Sequence, residues 1–217
     1  MPEIRGVLEI IYFISGPALV VIAYLALSQI KVAKQQIEAQ RETTRIAAKR
    51  DSLRVTSEQV AKYGSEIIPL QSALFKKIKS EEVNYFTKSK VTIADNKLST
   101  TPCADKKEIE KLGLITQEFV STMNSMEGFS VYFTSGVADE EIAFRSISVT
   151  FCDSISKLLP LLIPMTDGEN RFTSTMKLFM IWHTRLQKEN MEKQKANLEE
   201  KLKSQNIQTI RPFGSDA

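Results

Sequence analysis

Histidine is nearly missing from this 217-residue chain: His183 stands alone, beside two cysteines and one tryptophan. A site built from several imidazoles is therefore excluded. Cys103 and Cys152 are 49 positions apart, which rules out a zinc finger, an iron-sulfur ligand set and any disulfide framework beyond one bridge. Glycine, at eight, and proline, at seven, are scarce. No glycines cluster, so no phosphate-cradling loop is present, and the composition favours long helices over strands and turns. A catalytic triad would have to use His183, and no nucleophile elbow accompanies it. The residues assign no catalytic group, cofactor or metal ligand, and the expectation is a protein that is not an enzyme.

The formal charge of +3 is unevenly placed. Residues 31–62 hold eight Lys or Arg against four acids, whereas residues 63–217 hold twenty of each sign. The basic surplus thus lies in one short stretch beside the most apolar segment, which is not the spread that nucleic-acid binding requires.

That apolar segment runs from Ile10 to Ile30, 21 residues without a charge. At about 1.5 Å per residue it spans roughly 30 Å, the thickness of a hydrocarbon core. Pro17 is tolerated in such a helix, and Ser15 beside it can help satisfy the carbonyl that the proline frees. Ala26-Leu27-Ser28 loosely fits a signal-peptidase pattern, but the run exceeds a usual signal core and its leader has no net positive charge. A permanent transmembrane helix is expected. Lys31, Lys34, Arg41 and Arg45 flank its C-terminal end, so the positive-inside rule places residues 31–217 in the cytoplasm, with the N-terminus outside the inner membrane and both thiols reduced.

Beyond the membrane the helix should continue as a stalk through residue 68, because Ala, Gln, Glu, Lys and Arg dominate there. Val32, Ala39, Ile46, Leu53, Val60, Ile67 and Leu74 recur at sevens, but Gln35, Glu42, Lys49 and Thr56 hold the companion position. One apolar residue per heptad makes a narrow seam for a coiled coil. From Val60 on the stripe widens, and there the stalk enters a core. Pro69 is expected to kink or restart the helix.

Residues 80–104 read as a polar loop with one helical turn. Asp105 is a candidate N-cap, with Glu108 three residues on as a capping-box partner, and Ile109, Leu112, Ile115, Phe119, Met123 and Met126 follow at helical spacing. Phe129 to Phe133 is ambiguous by pattern and is assigned to helix, with Gly128 a candidate break. Asp139, Glu140 and Glu141 supply acids to the next helix start, whose stripe is Ile142, Phe144, Ile147, Phe151, Ile155 and Leu158, and which Pro160 and Pro164 should stop. Leu158 to Met165 is too short for a second span. The last helix runs from about Phe172 to Ser204, with Met176, Phe179, Met180, His183 and Leu186 on one face.

The expected fold is all-α. It has an N-terminal segment (1–9), a transmembrane helix (10–30), a juxtamembrane stalk (31–68), a helical head (69–172), a C-terminal helix (173–204) packed antiparallel on the stalk, and a flexible tail (205–217). The antiparallel pairing would let each narrow stripe cover the other, with Ile46, Leu53 and Val60 against Met191, Leu186 and His183.

Among single residues, His183 beside Trp182 reads as a bonded boundary histidine. Asp139, Glu140 and Glu141 could ligate a divalent ion, which would make a carboxylate-metal enzyme the least favoured alternative, but acids at a helix start follow from the dipole alone. Glu199-Glu200-Lys201 is a solvated face, Cys103 lies in a polar loop where it could react, and Cys152 is a core thiol. Asn124 and Glu127, one turn apart, together with Asp139 and Glu140, are the candidates for a polar network or pocket. The string Asn124 to Phe129, followed by Gly136 to Glu140, the anchor and Glu66 to Leu70, resembles a family of small bacterial single-pass membrane proteins of unknown function. The resemblance implies an anchored helical architecture. The expected partners are the lipid bilayer and a protein, either another component or a second copy. Neither a small-molecule substrate nor nucleic acid is indicated.

Overall fold

The computed structural model describes residues 2–94 and 97–204. Six α-helices and one hairpin follow in the order α1 (Pro2–Lys62), α2 (Ile68–Ser80), α3 (Tyr85–Lys88), β1 (Lys90–Ala94), β2 (Lys97–Thr101), α4 (Lys106–Thr134), α5 (Glu140–Glu169) and α6 (Thr173–Ser204). The chain divides into two compact units between Asp51 and Ser52. The expected tail at 205–217 lies outside the described residues.

The first unit is the leading part of α1, a helix of 61 residues that runs without interruption through Pro17. Every residue from Tyr12 to Asp51 is exposed. Ser15 does not cover the Phe13 carbonyl that Pro17 frees; its hydroxyl donates to the Tyr12 carbonyl at 2.8 Å. Among the described residues, two helices are long and apolar enough to cross a membrane: the one entered at Tyr12, whose apolar window has no burial, and α5, whose window is more than half buried.

In the second unit, α1 ends in a π-helical turn, Tyr63–Ile67. Pro69 explains it. The ring has no N–H to donate and would clash with the Ser65 carbonyl four residues back, so the turn widens and α2 restarts with Pro69 in its first turn. The widened turn carries Tyr63 and Ile67 into the core, where both are fully buried.

The core is aromatic at its centre. Tyr63, Phe129, Phe133, Phe151 and Trp182 stack in tilted and edge-on pairs with centroids between 4.8 and 6.5 Å. Ile115, Phe119, Met123 and Met126 of α4 are buried, in keeping with their spacing, while Ile109 is exposed. Gly128 does not break α4, which continues through Phe133 because Phe129, Ser130 and Phe133 are all buried on one face.

Four expectations fail locally. Residues 80–104 contain, besides α3, an antiparallel hairpin pairing Lys90 with Thr101 and Ile93 with Leu98. Val91 and Ile93 alternate with polar residues and, with Leu98, pack against the core, so a period of two was present in pieces too short to stand out. Glu108 forms no capping box; Asp105 caps α4 by accepting the Lys107 amide at 3.1 Å, while Glu108 turns inward to the Asn84 amide at 2.7 Å and Lys88 at 3.1 Å. Pro160 and Pro164 do not stop α5, because Leu158, Leu159, Leu162 and Ile163 are buried around them and packing outweighs the lost hydrogen bonds. The helix ends at Asn170, whose left-handed φ of 53° lets its amide bond back to Thr166 at 3.1 Å. With the prolines inside, α5 is 30 residues long rather than cut at eight apolar positions.

The fourth failure is the packing of α6. Its buried face, with Met176, Phe179 and Trp182, lies on α4 and α5. From Asn190 to Lys203 every residue is exposed, with Met191 at 62%, Leu198 at 61% and Leu202 at 69%. The aromatic side chains in the first three turns outweigh a stripe of one apolar residue per heptad.

Candidate functional site

One cluster of polar groups in the second unit lies where the turn between α4 and α5 meets α1 and α6. Thr56 of α1 is fully buried. Its hydroxyl donates to the Ser52 carbonyl and accepts the Asp139 amide, both at 2.7 Å. Asp139 caps α5 by accepting the Ile142 amide at 3.2 Å. The next residue, Glu140, reaches α6: it accepts from the indole N–H of Trp182, and the Arg185 guanidinium lies 3.4 Å from both of its oxygens. Arg185 is also 3.4 Å from Glu141 and sits 4.2 Å over the Phe144 ring. A buried indole needs an acceptor, and the ring face beneath Arg185 adds a cation-π contact to the ion pair.

Glu127 holds α6 at its other end. Its carboxylate accepts the amides of Ser174 and Thr175 at 3.0 and 2.8 Å, and the Thr175 hydroxyl at 2.8 Å. These are the unpaired N–H groups of the first turn of α6, where the positive end of the helix dipole lies, so a glutamate from α4 serves as a cap supplied in trans. Asn124, one turn earlier, is exposed and takes no part. Of the four candidate residues, Glu127 and Glu140 therefore form two separate clamps on α6, Asp139 joins α5 to α1, and Asn124 stands apart, so they do not line one pocket. By helical rise, Thr175 and Trp182 are about 10 Å apart.

Pattern reading missed the partners of these carboxylates, Thr56, Trp182 and Arg185, and also an interior network around Gln71. The buried Gln71 amide donates to the Tyr63 hydroxyl at 3.1 Å, and its carbonyl accepts the Ser154 hydroxyl at 3.2 Å. Burial pushes the Tyr63 phenol up to about 12. The sequence carries no local signal for this network beyond a lone glutamine in an apolar stretch.

No family model, curated protein or solved structure matches the chain.

The remaining candidates are placed as follows. His183 is half-buried, stacks on Phe179 at 5.1 Å and pairs with Gln187 at 2.9 Å; burial lowers its pKa. Cys103 is buried rather than free in a polar loop, and burial pushes the Cys152 thiol up to about 12. Among the described residues, no three His, Cys, Asp or Glu side chains are grouped to hold a metal ion. Lys31, Lys34, Arg41 and Arg45 are all exposed on α1. A groove of about 510 Å³ lies beside the Glu140 clamp, lined by Phe144, Arg145, Leu186, Glu189 and Lys193 among others. Together these contacts tie the end of α1 to the start of α5 and hold α6 at two points.

Proposed function

We propose that this is a membrane-anchored helical protein that works through protein–protein contacts, as a scaffold or as the membrane partner of another component. The observation that carries this reading is the charge-free run of 21 residues, which lies on α1 and is exposed at every residue from Tyr12 to Ile30. A segment this apolar is stable in that state when lipid covers it. Residues 31–217 then lie in the cytoplasm, since Lys31, Lys34, Arg41 and Arg45 follow the run and Arg5 alone precedes it. The exposed half of α6, with Met191, Leu198 and Leu202 among charged residues, is a surface that a partner or a second copy can cover. A reporter fused to the C-terminus tests the topology: activity of a cytoplasmic reporter is expected, and activity of a periplasmic one contradicts the reading.

A second reading is a membrane-acting effector that permeabilises the bilayer. It is favoured by the prolines inside both apolar helices, Pro17 in α1 and Pro160 and Pro164 in α5. Overexpression separates the two. Harmless accumulation in membranes supports the scaffold; growth arrest with loss of membrane potential, abolished by deleting residues 1–30, supports the effector.

A further inference from the structure

The basic residues that follow the apolar run are not scattered around the helix. At about 100° per residue, Lys31, Lys34, Arg41, Arg45 and Lys49 fall within one stripe about 80° wide, with Arg50 and Arg54 off it. All are exposed on a helix that continues without a break from the apolar run. Glu38 lies inside the stripe. Glu42 lies at its edge and pairs with Arg45 at 3.5 Å, where both side chains are more than half exposed.

We propose that Lys31, Lys34, Arg41 and Arg45 form a binding stripe for the headgroups of anionic phospholipids. The proposal rests on the anchor reading above. Headgroups extend about 5–7 Å beyond the hydrocarbon on each side, so Lys31 and Lys34 lie among them. Side chains on a helix tilt toward its N-terminus, which here is toward the bilayer, and Lys and Arg reach several ångströms along their stems. Arg41 begins about 16 Å past Ile30 by helical rise, yet its guanidinium returns to within a few ångströms of the headgroups. Arg45 returns to within about a Debye length of them, and Lys49 does not. After Glu38 and Glu42 are discounted, about two positive charges face the surface, and each such charge favours an anionic surface about fivefold. One face of the stalk base thus recruits anionic lipid, which also sets the rotation of the helix about its axis.

The test uses the full chain with Gln35→Cys carrying a fluorophore, both native thiols being buried, reconstituted into phosphatidylcholine vesicles containing phosphatidylglycerol. Brominated phosphatidylglycerol is compared with brominated phosphatidylcholine as quencher at equal mole fraction. The expected result is a preference for phosphatidylglycerol of about fivefold or more. It should fall to near unity in the variant Lys31→Gln, Lys34→Gln, Arg41→Gln, Arg45→Gln, whose helix propensity is nearly unchanged. Lys49→Gln, Arg50→Gln should keep the preference. Equal quenching by the two lipids in an inserted wild-type protein overturns the proposal and leaves the anchor reading standing. Failure to insert into vesicles of either composition overturns both. Abolition of the preference by inorganic phosphate at matched ionic strength shows a general anion site and also overturns it.

Discussion

Thr56 and Asp139, 83 positions apart, are joined by one short hydrogen bond: the Asp139 amide donates to the Thr56 hydroxyl oxygen at 2.7 Å. The same hydroxyl donates to Ser52, so one buried side chain ties the end of α1 to the start of α5. Thr56→Val keeps the shape and removes the acceptor, leaving the amide unpaired, which costs about 1–3 kcal/mol. Urea unfolding should show that loss, and Thr56→Ser should recover most of it. Equal midpoints for Val and wild type would show that the bond contributes nothing.

The interior network makes a sharper contrast. Gln71→Leu strands the Tyr63 and Ser154 hydroxyls and is expected to destabilise by about 1–3 kcal/mol. Adding Tyr63→Phe and Ser154→Ala removes the stranded groups as well, so the triple variant should be more stable than the single one. Thermal melts of the three proteins decide this; a triple variant less stable than Gln71→Leu would mean that packing, not polar satisfaction, dominates there.

Glu127 predicts a local effect. Glu127→Ala uncaps the first turn of α6 and is expected to cost about 0.5–2 kcal/mol. Hydrogen exchange should rise at Ser174 and Thr175 before it rises elsewhere. Uniform exchange across α6 would argue that the cap does not act locally.

Acid sensitivity has several sources with the same sign, among them Glu118, lowered by its bond to Lys77. Bonds to Lys88 lower the Asp105 and Glu108 carboxyls, so their contribution is complete above the unfolded values near pH 4 and is lost as pH falls through the lowered ones. His183 is lowered by burial; below its unfolded value of about 6.5 the unfolded chain takes up the proton first and stability falls. His183→Gln should flatten the stability profile between about pH 7 and 5, and Lys88→Met should flatten it below about pH 4. Profiles parallel to wild type in those windows would refute the assignment.

The long helices were readable because a stripe such as Ile115, Phe119, Met123 and Met126 repeats often enough to declare its period, and Pro69 announced the restart that the π-helical turn provides. The hairpin was not readable, since β1 offers the core only Val91 and Ile93, and β2 only Leu98. The prolines in α5 misled for a different reason: local rules price the lost hydrogen bond but not the leucines buried around it. The clamps were half legible. Asp139 stands out as an acid at a helix start and Glu127 as a polar group beside a packed face, but the partners of Glu127 and Glu140 lie more than 40 positions away, and spacing within one helix carries no record of which helix lies alongside. The misplacing of α6 has the same origin. A narrow stripe shows that a cover is wanted, not what supplies it.

Membrane fractionation at alkaline pH tests the anchor most directly, using the full chain beside a variant carrying Leu19→Lys and Ile22→Lys. Each lysine at the centre of a span costs about 2.5–3.5 kcal/mol of insertion free energy. The wild-type chain should stay in the membrane pellet after carbonate washing while the double variant moves to the soluble fraction. A wild-type chain released by carbonate, or a variant retained as firmly as wild type, would contradict a membrane-spanning α1.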